Sequence, residues 1–331
     1  MQQYNIQKGS VLLGEPLILE SGDVLEEVTI AYETYGELNA DRSNVVFVAH
    51  ALTGSASANQ WWSTLIGEGK ALDPNEYFIV CANCIGSCYG STGPSSNSTF
   101  PQISIGDIAN STFAFLDVIG IETLSLAIGG SFGGMIVFEM ALIAPERVTR
   151  IAPLSCGAEH TPWRIAFSSA IRKIIEEGMR SGNTERAFAL ARQVAMTSYR
   201  SSGEFDNRFA RKKNSDQRFE VESYLEHQGE KIVGRFSPYS YITLTKAMEL
   251  YSLFEGRNGT RSEILQRIQQ PALLLGATTD MLYPESELIS LSKDLPNAEY
   301  HSLGAIWGHD SFLIEEEQTN KIVKQFLEKT Q

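Results

Sequence analysis

One stretch of the chain constrains the fold more than any other. The apolar run Leu124 to Ile128 meets Gly129-Gly130-Ser131-Phe132-Gly133-Gly134 and passes straight into the helix-like pattern MIVFEMALIA. An unbroken apolar run is what a strand buried on both faces requires. Glycines on either side of Ser131 permit a sharp reversal and let the following helix lie close against the strand. The serine then sits on the bend itself. Similar runs recur at Val45–Ala49, Tyr77–Cys81, Arg150–Leu154, Pro271–Leu275 and Ala298–Leu303. Strands alternating with helical patterns predict a mostly parallel sheet with helices on both faces.

The pattern changes between Cys156 and about Gly259. Strand-like runs vanish, and helical stretches such as IAFSSAIRKIIEEGM, ERAFALARQVAMTSY, VESYLEHQGEKIV and YITLTKAMELYSLF take over. The expected organisation is a core made of residues 1–155 and 260–331, with residues 156–259 inserted as a helical lid over the carboxyl ends of the strands. From Glu159 to Arg218 there are 12 basic and 7 acidic residues, within a chain whose net charge is −13. A locally basic lid on an acidic protein suits an anionic, phosphate-bearing ligand. From Ser311 onward the spacing of Phe312, Leu313, Ile322, Val323, Phe326 and Leu327 predicts one final amphipathic helix.

Composition removes several classes of function. With 331 residues, 43% of them hydrophobic and 20% charged, the chain can build a large core. The excess of acid argues against a general nucleic-acid binder or a protein held on anionic lipid by its overall charge. No apolar run approaches the ~20 residues that cross a bilayer. The start, MQQYNIQKGS, shows no basic segment followed by an apolar one. A cytoplasmic protein is expected. Cys81, Cys84 and Cys88 form C-x2-C-x3-C, but no second Cys/His pair lies nearby and Cys81 ends an apolar run. Buried thiols are expected there rather than a metal site.

Gly129-Gly130-Ser131-Phe132-Gly133 fits G-x-S-x-G in its strand–turn–helix setting, as a nucleophile elbow of the α/β-hydrolase fold does. A serine nucleophile needs a base, and the chain has five histidines. On this topology the base follows the nucleophile and the acid, which excludes His50. His160 and His227 fall in the helical insertion and His301 in the strand-like AEYHSL. His309, in Trp307-Gly308-His309-Asp310 before the last helix, is left as the base. Asp280, at the end of the preceding strand, is the acid that orients it. The oxyanion would be met by the backbone N–H of Phe132 and by that of Leu52, in the loop after Val45–Ala49. These residues imply acyl transfer through a serine ester and leave the acceptor, water or an alcohol, open.

HALTGSA, GKALDPNEYFIVCANCIGSCYGSTGPSS, IGGSFGGM, TSYRS, RFEVESYLEHQGEKIVGRF, TDMLYP and GHDSFL, in this order along nearly the whole chain, resemble the homoserine O-acetyltransferase family. The resemblance implies an α/β-hydrolase core with a helical lid, usually a homodimer. It implies transfer of an acetyl group from acetyl-CoA, as co-substrate, to the hydroxyl of L-homoserine in methionine biosynthesis, with no metal and no resident cofactor. Ser131, Asp280 and His309 match the family's nucleophile, acid and base. Arg200 matches the arginine that holds the amino acid carboxylate, and Asp310 an acidic residue near the amino group. Ser55 stands where the family often carries an acid, Phe132 where methionine is common, and the stretch between Ser96 and Phe100 is shorter than in many members. These departures leave open succinyl in place of acetyl and serine in place of homoserine. The residues alone also admit an esterase or thioesterase.

Overall fold

A computed structural model describes residues 4–96 and 99–330. Its centre is an eight-stranded sheet: β1 (Ile6–Leu12), β2 (Thr29–Tyr35), β3 (Val45–Ala49), β4 (Phe78–Ala82), β5 (Leu126–Gly130), β6 (Ile151–Leu154), β7 (Ala272–Ala277) and β8 (Ala298–Leu303). The spatial order is β1-β2-β4-β3-β5-β6-β7-β8. The six strands from β3 to β8 pair in parallel, with Ala49 opposite Gly129 and Leu154 opposite Leu275. They match the six apolar runs to within two residues.

β1 and β2 were not among the predicted strands. Both are antiparallel, β1 on β2 and β2 on β4, and they extend one edge of the sheet. β1 is nowhere fully buried and, apart from the adjacent exposed pair Gln7 and Lys8, switches between half-buried and exposed positions, as one-sided edge strands do. β2 carries the polar residues Glu33 and Thr34 in buried positions, and these hide its strand character. Glu33 is satisfied there by Tyr35 at 2.9 Å, Lys8 at 2.7 Å and a short contact from Ser57.

Alternate residues of the central strands feed two cores. Val45, Phe47 and Ala127 face the helices Ile105–Val118 and Phe132–Ile143, while Val46, Val48, Leu126 and Ile128 face the C-terminal helix through Val323, Phe326 and Leu327. That last helix is not continuous from Ser311, contrary to its periodicity. It breaks at Glu315 into Ser311–Ile314 and Glu316–Lys329, and the Glu315 carboxylate accepts from Trp307 Nε1 at 2.6 Å.

Between β6 and β7 the named elements are all helices: Pro162–Arg180, Thr184–Tyr199, Ser202–Phe209, Glu220–Val233, Pro238–Glu249 and Arg261–Leu265. The first two pack on each other, and the second packs on Glu220–Val233. No helix among the described residues is long and apolar enough to cross a membrane.

Candidate active site

β5 ends at Gly130, and the chain reverses at Ser131 with φ 56° and ψ −119°. A non-glycine residue held at positive φ costs on the order of 1–3 kcal/mol, so the surrounding packing must enforce it. Gly133 shows how. A Cβ there would stand 2.2 Å from the carbonyl oxygen of Ala49, so only glycine lets the helix start against the end of β3. This contact brings the Phe132 end of the helix beside the loop that leaves β3.

That loop, His50–Gly54, is tied down at several points. Gly54 N–H donates to Ala51 O at 2.7 Å, and the Arg235 guanidinium donates to Thr53 O at 2.7 Å. His50 is buried, and its Nε2 accepts from the Cys84 backbone N–H at 3.2 Å. Its Nδ1 therefore carries the proton and donates to Ala51 O at 2.8 Å. Burial pushes the His50 pKa down, which keeps this neutral tautomer. Order along the chain excludes His50 as base but gave no hint of this anchoring role, because Cys84 is its partner only in space.

On the other side, β7 delivers Asp280 and β8 delivers His309. Asp280 Oδ1 accepts from the N–H groups of Leu282 at 2.8 Å and Tyr283 at 3.0 Å. Its Oδ2 accepts from His309 Nδ1 at 2.7 Å. Both side chains are buried. Burial alone would lower the pKa of His309, but the charge and hydrogen bond of Asp280 outweigh it and hold the imidazole above its ordinary value. Thr279 locks the two loops together, donating to Ala305 O at 2.8 Å and accepting from Gly308 N–H at 3.1 Å. Gly308 has φ 68°, and a Cβ on it would meet Ser201 N at 2.7 Å. The imidazole loop thus lies directly on the backbone of the helical insertion.

Ser131, His309, Leu52, Arg200 and Asp310 all line one cavity of about 990 Å³ between the sheet ends and the inserted helices. Arg200, at the C-terminal end of Thr184–Tyr199, places its Nε 3.0 Å from Asp310 Oδ2. Burial raises the Asp310 pKa, against the pull of Arg200. A guanidinium and a carboxylate side by side complement a zwitterionic amino acid, each meeting its opposite charge. Six cationic side chains line the cavity against two acidic ones, Glu33 and Asp310. The Phe132 side chain is buried in the core behind the serine and faces away from this space.

The four cysteines are free; Cys81, Cys84 and Cys156 are buried and Cys88 half-buried. Burial raises the Cys81 and Cys84 thiols, which keeps them protonated.

Residues 44–316 match the α/β-hydrolase fold family. The homoserine O-acetyltransferase of Chlorobium chlorochromatii is 40% identical over 335 residues, covering 95% of this chain and 94% of that protein. The crystal structure of homoserine O-acetyltransferase from Staphylococcus aureus superposes with a TM-score of 0.85 at 26% identity, over 98% of this chain and 95% of the other. The crystal structure of esterase E22 gives 0.87 at 20% identity over 98% of this chain and all of that one, a likeness of fold. With an α/β-hydrolase sheet, a serine at the elbow and this degree of identity over nearly its full length, the chain belongs to the homoserine O-acetyltransferase family.

Proposed function

We propose that the protein transfers an acetyl group from acetyl-CoA to the hydroxyl of L-homoserine, in methionine biosynthesis, through an acyl-enzyme on Ser131. In the first half-reaction His309 Nε2 takes the Ser131 proton while Oγ attacks the thioester carbonyl. The N–H groups of Phe132 and Leu52 stabilise the oxyanion, a contribution of roughly 3–4 kcal/mol per donor. The C–S bond breaks and the CoA thiolate leaves with the proton from the imidazolium. In the second, His309 takes the proton of the homoserine hydroxyl, whose oxygen attacks the acyl-serine. Ser131 leaves and recovers its proton. Asp280 keeps the ring oriented and stabilises the imidazolium.

The observation that carries an amino acid acceptor rather than water is the Arg200–Asp310 pair in the cavity that also presents Ser131 and His309. An esterase has no need of a paired cation and anion beside its nucleophile. Arg192, Lys231 and Arg235 line the same cavity and favour a phosphate-bearing donor. The inserted helices act as a lid that keeps the acyl-enzyme dry enough for the alcohol to outcompete water. We place the enzyme in the cytoplasm, where its free thiols stay reduced, and as a homodimer, which sedimentation tests.

The test offers acetyl-CoA and succinyl-CoA against homoserine and serine, each with a no-acceptor control, and reads products by mass. O-acetylhomoserine formation with little hydrolysis is expected. Release of CoA at a rate indifferent to the amino acid would instead define an esterase or thioesterase.

A further inference from the structure

Arg164 is an arginine that the proposed chemistry does not use. It lies in the first turn of Pro162–Arg180, is 3% exposed and lines the cavity. The donors on its two Nη atoms are already committed, and only Nε has no hydrogen-bond partner among the described residues. Nη1 and Nη2 reach the two carboxylate oxygens of Glu287 at 3.1 and 2.7 Å, and they also donate to Leu282 O at 3.0 Å and Glu159 O at 3.2 Å. A fork spent in this way cannot grip a substrate carboxylate as Arg200 can. Its plane lies instead over the ring of Tyr283, 4.2 Å from the centroid. The ring of Tyr283 also stacks on the imidazole of His309, with centroids 5.3 Å apart and planes 26° from parallel. Tyr283 is 2% exposed, and its hydroxyl has no hydrogen-bond partner among the described residues.

We propose that Tyr283 and Arg164 are positioning residues for His309: the phenol ring braces the imidazole, and the guanidinium, anchored on Glu287, clamps the phenol and ties the inserted helices to the acid loop. The hydrogen bond to Asp280 fixes one ring nitrogen but leaves the imidazole free to swing about it. The stacked phenol limits that swing, and so keeps Nε2 aimed at Ser131. Because Arg164 belongs to the insertion and Glu287 to the helix after β7, the clamp also makes the aim of the base depend on seating of the insertion.

The brace has an electrostatic consequence. The groups that face His309 are Asp280 and Tyr283 from the acid loop, Asp310 on its own loop, Arg164 from the first inserted helix, and Tyr199 from the second. Arg192 and Arg200 from the second helix act on Asp310. Among these, Asp280 and Asp310 favour the imidazolium, and Arg164 opposes it. Removing the Arg164 charge therefore raises the pKa of the base. The rate, which needs a neutral imidazole, then falls at a higher pH.

The inference rests on the roles given to Ser131 and His309, so it is tested with p-nitrophenyl acetate, whose hydrolysis needs those two residues and no amino acid. Tyr283→Leu is expected to lower kcat about 10- to 100-fold with little change in KM, the loss that a loosened catalytic group produces. Tyr283→Phe restores most of it. Arg164→Gln is expected to move the acid limb of the pH–rate profile upward by about half a unit. Retained kcat in Tyr283→Leu overturns the brace, as does an Arg164→Gln variant slowed by one factor at every pH. Loss of homoserine transfer with these ester results intact would refute the acceptor assignment and leave the brace standing.

Discussion

The candidate site has two walls built on different principles. The core wall carries Ser131, Asp280 and His309 on loops that leave β5, β7 and β8, all at the same end of the sheet. Backbone features frame each: a positive-φ bend at Ser131, two N–H groups on Asp280, and, for the His309 loop, Gly308 packed on the backbone of Ser201. The insertion wall carries Arg164, Arg192, Tyr199 and Arg200 on helices, held by side-chain ion pairs and ring contacts. Backbone-built geometry suits chemistry that must not vary. Side-chain-built geometry suits recognition, because one substitution changes the ligand without moving the frame. The comparison makes a sharp forecast. Damage to the core wall should abolish ester cleavage and transfer together, whereas damage at Arg200, the recognition end of the insertion wall, should separate them.

The largest effect should come from Ser131→Ala, about 10⁶-fold in kcat for both reactions. The protein should no longer gain an acetyl mass from acetyl-CoA; labelling that persists would move the nucleophile elsewhere. Asp280→Asn should follow, at about 10⁴-fold, because the amide holds the wrong imidazole tautomer. Again hydrolysis and transfer should fall alike, and a loss confined to transfer would place Asp280 in recognition.

Arg200→Ala tests the other wall. Homoserine kcat/KM should drop about 100-fold, the scale of a lost charge-assisted pair, with p-nitrophenyl acetate hydrolysis within a few-fold of the parent. Equal losses in both reactions would show that Arg200 also serves the chemistry and would remove it from recognition. A smaller effect concerns pH. Because Asp280 and Asp310 hold the His309 pKa above its ordinary value, the acid limb of kcat/KM should turn above pH 6.5, the ordinary imidazole value. A limb below that pH would mean that burial outweighs both carboxylates.

The two walls also differ in how far the sequence reveals them. β3 to β8 are legible because burial on both faces demands unbroken apolar runs. Ser131, Asp280 and His309 are legible because their loops follow such runs and the order is set by topology. β1 and β2 are not, since Lys8 and Gly9 interrupt the one and a buried Glu33 the other, and neither shows an unbroken apolar run. Arg200 carries no local signal either: an arginine ending a helix is ordinary, and only the family resemblance singles it out. The Arg164–Tyr283–His309 stack brings Arg164 to residues more than a hundred positions further along the chain, and no periodicity records it.

The seam between the walls is tested by stability rather than by rate. His160 sits between the end of β6 and Pro162–Arg180, and its backbone N–H donates to Tyr251 O at 2.8 Å. Its ring is buried, and neither ring nitrogen has a hydrogen-bond partner among the described residues. Burial, with Arg164 adding to it, pushes its pKa from 6.5 down to about 4. Between those values the unfolded chain binds the proton and the folded one does not. The contribution of His160 to stability is therefore intact above pH 6.5 and is lost as the pH falls toward 4, by on the order of 3 kcal/mol. His309, with its raised value, acts in the opposite sense but above pH 6.5, outside this window. Urea unfolding across that range should show a shallower pH dependence in His160→Leu than in the parent. Parallel curves would mean that the imidazole is already charged in the folded protein, and the seam would then be a wet, polar joint rather than a packed one.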